Sequence, residues 1–136
     1  YASKYFAWFK TFNNRNTLYI MELNTRKKSI LNINKYNSCF SDKLCSKTGT
    51  LLYGSIVNNK NLKYFCIEDI FFFSGKDLVN HNKRDKLILL NKMLENDMKQ
   101  QFFSKSSIVF CLPIMTNNIN DISKLVYFNI SKNAPK

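Results

Sequence analysis

The sequence predicts an α+β domain: an antiparallel β-meander followed by one main amphipathic helix. Three observations carry that prediction. The first half is a succession of aromatic and β-branched runs separated by short Asn-rich breaks, the usual signature of strands joined by tight turns. Leu87, Leu90, Leu94 and Met98 then recur at steps of three and four, the spacing of one helix face. With 136 residues, 45% of them hydrophobic, the chain has enough apolar material for one core and too little length for two ordinary domains. Residues 1–136 are therefore read as a single domain.

The elements follow in order. Lys4 to Phe12 is a strand rich in aromatics, turning at Asn13-Asn14-Arg15-Asn16 into a second strand from Thr17 to Leu23. Asn24 to Lys27 turns into a third, Ser29 to Ile33, and the polar stretch Tyr36 to Lys47 is expected to be a loop. Asn suits all these turns because it tolerates left-handed backbone and bonds its own main chain. Gly49 to Val57 and Leu62 to Phe73 form a second hairpin across Asn58-Asn59-Lys60-Asn61. Asn82, with Asp85 three residues later, approximates a capping box and opens the helix, whose polar face carries Lys86, Lys92, Glu95 and Lys99. A strand from Ser107 to Met115, a helical turn from Asn118 to Lys124 and a strand from Val126 to Ile130 complete the pattern, with a frayed end from Ser131 to Lys136.

Charge narrows the function classes. Lys and Arg number 21 against 9 acids, a formal net charge of +12, which favours a polyanionic partner. No apolar run approaches the roughly 20 residues that span a bilayer, and no signal-peptide pattern opens the chain, so no membrane role is expected. Cys39, Cys45, Cys66 and Cys111 form no C-x-x-C pair and His81 is the only histidine, so no metal site, no cofactor and no structural disulfide are expected. Cys66 and Cys111 sit in apolar runs as small core residues. The expected setting is intracellular and cytoplasmic, and the Lys-, Asn- and Phe-rich composition is the kind that AT-rich coding produces, as in certain large DNA viruses and protists.

Three stretches carry a resemblance. Gly49-Thr50-Leu51-Leu52-Tyr53-Gly54-Ser55-Ile56-Val57 is similar to the G-T-L-L-D-G-E-L-V strand of mRNA capping guanylyltransferases and polynucleotide ligases. Tyr64 to Leu78 resembles the family's following strand, Y-x-x-F-D-x-L-x-x-x-G-x-x-L, and Arg84 opens a Leu-rich helix as an arginine does in those enzymes. The resemblance covers roughly half the chain and implies a nucleotidyltransferase-like fold. It also implies lost catalysis. Where the family has its nucleophile in K-x-D-G-x-R, this chain has Lys4-Tyr5-Phe6-Ala7-Trp8-Phe9; D-G-E has become Tyr53-Gly54-Ser55, and the C-terminal motifs are missing. Transfer of a nucleotide needs an activated lysine, a metal-holding carboxylate and a phosphate clamp. Lys4 alone would remain.

A branch of the same fold, the cap-binding domain of snurportin, has lost catalysis and kept nucleotide binding. That likeness implies a non-catalytic binder of an RNA 5′ end, above all the methylated guanosine cap, in a viral or protist translation or transcription apparatus, with room for a protein partner. Trp8, Tyr53 and Phe73 are the expected stacking residues, because a methylated guanine is a cation with a π-face. Alternation along the strand is expected to put Phe71 and Phe73 on one face, and Glu68 and Asp69 on opposite faces. Asp69 is the expected base-edge acid, with Arg84 as its structural alternative partner; Lys76 and Arg84, with Lys4, are expected at phosphates. The alternatives are a guanylyltransferase or ligase fragment using Lys4, and a generic basic RNA-binding or assembly module.

Overall fold

The computed structural model describes residues 3–36, 38, 40–59, 62–98 and 108–112. They form a mixed α+β structure, a seven-stranded sheet with one α-helix. The strands are β1 (Lys4–Phe12), β2 (Arg15–Asn24), β3 (Ser29–Tyr36), β4 (Thr50–Asn59), β5 (Leu62–Phe73), β6 (Lys76–Asp77) and β7 (Val109–Cys111), with the helix α1 at Lys83–Asn96. Asn13 and Asn14 both adopt positive φ, 51° and 62°, which gives the tight turn its twist and keeps β1 and β2 in register from Phe12↔Arg15 to Lys4↔Leu23. The predicted helical turn at 118–124, the strand at 126–130, Lys99, and the outer parts of the strand at 107–115 lie outside the described residues.

The strand order is β3-β2-β1-β4-β5-β6, so the chain is not a simple meander. After β3 it returns to pair β4 with the other side of β1, antiparallel, from Phe9↔Thr50 to Lys4↔Ser55. The returning segment is more than the expected loop. It contains a 3₁₀ turn at Asp42–Cys45, N-capped by Ser41, that buries Leu44 and Cys45 in the core. Burial of two apolar side chains is what draws this polar stretch across the sheet. The expectation of purely antiparallel pairing also needs correction, since β7 runs parallel to β5 (Tyr64↔Val109 to Cys66↔Cys111).

One face of the sheet is sealed. Ala7, Phe9, Leu18, Ile20, Leu52, Phe65, Ile67 and Ile70 join Leu44, Leu90, Met93, Leu94, Met98, Ile108 and Phe110 in a single core. Helix α1 opens as the sequence predicts, with the Asn82 side chain accepting from the Asp85 N–H at 2.8 Å. Its buried face is Leu90, Met93 and Leu94, whereas Leu87 is 51% exposed. The helix ends at Asn96, one residue before its cap, and Met98 is buried beyond it through a bridge to Phe40. The apolar stripe therefore starts one turn later than its leucines suggest. No helix among the described residues is long and apolar enough to cross a membrane.

Candidate nucleic-acid interface

The opposite, outer face is built by the same alternation. On β1, Tyr5, Ala7 and Phe9 point to the core, so Phe6, Trp8, Lys10 and Phe12 point outward. Register partners share a face, which adds Tyr19 opposite Trp8, and Tyr53 opposite Phe6. The rings gather into two clusters. Phe6, Tyr53 and Phe71 meet edge-on or tilted at centroid separations of 5.7, 5.9 and 6.3 Å. Phe12 stands edge-on between Trp8 at 5.5 Å and Tyr19 at 5.3 Å. All six rings are half-buried.

Phe71 reaches this face because β5 carries two irregularities. The β4–β5 register slips between Leu51 and Leu52, opposite Phe72 and Ile70, and again between Tyr53 and Gly54, opposite Asp69 and Ile67. Each slip inserts one extra β5 residue, Phe71 and Glu68, and an inserted residue breaks strict alternation. Gly54 marks the second slip, since a Cβ there would collide with the Cys66 carbonyl. Two expectations fall with the alternation. Phe71 lies on the outer face while Phe73 packs against the core cluster. Glu68 meets Lys4, which shares the side of Phe6 on β1, while Asp69 is the register partner of Tyr53, so both acids belong to the outer face.

Lysines stand over the rings. The Lys10 ammonium is 5.3 Å from the Trp8 centroid and 5.8 Å from that of Phe12. Lys35 stands 6.0 Å above Tyr19, and Lys86, from the first turns of α1, 5.5 Å above Phe71. A cation over a ring face is attracted by the quadrupole, weakly where water competes. The indole N–H of Trp8 donates to the Thr48 carbonyl at 2.9 Å, which fixes the ring's edge.

Of the residues singled out in the sequence, Trp8, Tyr53 and Asp69 share the outer face. Tyr53 and Asp69 are register partners, and Trp8 is diagonal to Tyr53 through Leu51. Asp69 accepts from Lys86 at 2.9 Å and from the Ile70 N–H at 2.8 Å, so its partner on α1 is Lys86 and not Arg84. Phe73 sits on the core side under the Lys43 ammonium, 5.3 Å away. Lys76, paired with Phe73 on β6, and Arg84 are exposed. Lys4 donates to both carboxylate oxygens of Glu68, at 2.9 and 2.7 Å. Phe6, Phe12, Tyr19, Phe71, Lys10, Lys35 and Lys86 were not foreseen. For the β1 residues the signal was available, because every second residue from Phe6 to Phe12 is aromatic or basic.

Among the described residues no group of three or more His, Cys, Asp or Glu side chains is placed to share a metal ion. The face carries ring surface and cation contacts, from side chains on paired strands. Comparison with known proteins finds no matching family model, no matching curated protein and no matching solved structure.

Proposed function

We propose that this domain binds single-stranded RNA near a 5′ end without catalysis, laying bases on the outer face of the sheet and holding phosphates with the lysines around it. The observation that supports this is the pairing of two half-buried aromatic clusters with Lys10, Lys35 and Lys86 on one face of a chain of net charge +12. Bases have π-faces of any sequence, and a basic aromatic surface takes them without reading hydrogen bonds. Lys10 is suited to exchange: a base that stacks on Trp8 displaces the ammonium from the ring toward a backbone phosphate.

The likeness of β4 and β5 to capping enzymes and ligases supports the narrower form of the proposal, recognition of a methylated guanosine cap. In that form Trp8 and Tyr53 supply stacking surface, and Asp69 turns from Lys86 to the base edge. Phe73 packs against the core cluster and is left out of this form of the proposal. Fluorescence anisotropy with short labelled RNAs, bearing a methylated cap or a 5′ triphosphate, tests both forms. Stacking contributes about 1–3 kcal/mol per base, so Tyr53→Ala should weaken binding roughly five- to a hundredfold in a protein that still folds at the assay temperature. Preference for the capped RNA selects the cap reader, and equal affinity selects a general single-strand binder. No binding at low salt rejects both.

A further inference from the structure

Cys66 and Cys111 are 45 residues apart in sequence and meet in the sheet, with their sulfurs 3.4 Å apart. They are register partners on the parallel strands β5 and β7, and both are buried. Register partners point to the same side of neighbouring strands, which lie about 4.8 Å apart. That spacing falls within the roughly 4.4–6.8 Å that a disulfide bridges between Cα atoms. We propose that Cys66 and Cys111 are a reversible dithiol–disulfide pair that, when oxidised, clasps β7 to β5.

The chemistry of the pair is asymmetric in the useful direction. The hydrogen bond between the sulfurs makes Cys66 more acidic than an ordinary thiol, against the opposing effect of burial, while the same bond and burial make Cys111 less acidic. Cys66 is also the more exposed of the two, 6% against 1%, so an oxidant reaches it first and Cys111 is the resolving sulfur. With a hydroperoxide as oxidant, the Cys66 sulfur attacks one peroxide oxygen, the O–O bond breaks, and Cys66 becomes a sulfenic acid as water or an alcohol leaves. The Cys111 sulfur then attacks the Cys66 sulfur, the S–O bond breaks, and hydroxide departs with the Cys111 proton as water. Two thiols lose two electrons and two protons, and the peroxide takes up both. Local opening of the described β7–β5 pairing, which joins Tyr64 to Val109 and Cys66 to Cys111, is the route by which an oxidant reaches the sulfurs. Among the described residues Cys45 faces no second thiol: it is buried in the 3₁₀ turn, and burial pushes its thiol up to about 11.

Peptide mapping tests the pair without a variant, because cleavage after lysine and arginine puts the four cysteines on separate peptides, residues 36–43, 44–47, 64–76 and 106–124. The reduced full chain is treated with hydrogen peroxide, its remaining thiols are alkylated, and the digest is analysed by mass spectrometry without reduction. The expected product joins residues 64–76 to 106–124, is lighter than the two peptides by two hydrogens, and disappears when a dithiol reductant is added. Amide hydrogen exchange at Val109, Phe110 and Cys111 should slow at least about tenfold in the oxidised protein, since closing a loop this long restricts opening. Cross-links that instead involve Cys39 or Cys45, thiols that stay alkylatable with no linked peptide, or unchanged exchange in β7 would overturn the proposal.

Discussion

Both faces of the sheet are lined with aromatic rings, but the inner face is sealed and the outer face is half open. Phe9, Phe65 and Phe110 are fully buried in one core with side chains of α1 and the 3₁₀ turn. Phe6, Trp8, Phe12, Tyr19, Tyr53 and Phe71 are half-buried, and lysine ammonium groups stand over four of them. The inner rings are held by close packing on all sides, where any lost volume is felt. The outer rings meet mainly edge-on and share their remaining surface with lysine ammonium groups. The difference teaches that aromatic content alone does not separate core from binding surface; what covers the ring does.

The strongest way to break this comparison is truncation on each side. Phe65→Ala should cost about 3–5 kcal/mol of stability in chemical denaturation, and Phe73→Ala should also lower stability, because Phe73 packs on the core. Tyr53→Ala removes an edge contact to Phe6 and a tilted one to Phe71 and should cost about 1–2 kcal/mol. Equal losses at Phe65 and Tyr53 would erase the distinction between the faces.

Alkaline pH sharpens it further. Burial raises the Cys45 thiol from 9.0 to about 11, so below pH 9 the folded and unfolded chains both hold the proton. Above that the unfolded chain releases it first, and stability falls until the folded thiol also ionises, by about 2–3 kcal/mol in total. Tyr5 and Tyr64, also raised chiefly by burial, add with the same sign. Denaturation midpoints measured from pH 8 to 11 should fall, and Cys45→Ala should reduce the fall. A flat profile contradicts a sealed inner face. The cover itself is tested at the helix start, where Asn82→Ala should cost about 1 kcal/mol and leave RNA binding unchanged. The smallest effect belongs to the rim: Lys10→Ala should reduce the salt slope of RNA binding by about 0.7, the share of one phosphate.

Much of the inner face was legible in the sequence and less of the outer. β1 and β5 run over the predicted residues because period-two burial, the Asn13-Asn14 turn and the short break after Asn59 fix their ends. Asn82 announced the helix because its cap is local chemistry. Three things were hidden. The return of β4 to β1 depends on Leu44 and Cys45 finding the core, a tertiary contact that no local pattern reveals. The slips at Glu68 and Phe71 are single inserted residues in a run that still alternates by eye, so Phe71 and Phe73 are expected on one face and lie on two. The Lys86–Asp69 pair joins residues 17 apart on different elements, which spacing along a helix does not foresee.

The most direct test uses the only tryptophan in the chain. Trp8 lies in the outer-face cluster with its indole N–H tied to Thr48, so its emission reports on that face alone. Titration with a short single-stranded RNA at low salt should quench Trp8 fluorescence in step with binding measured by anisotropy, because a stacked base takes the place of Lys10 over the ring. Saturable binding that leaves Trp8 emission unchanged would contradict stacking on this face.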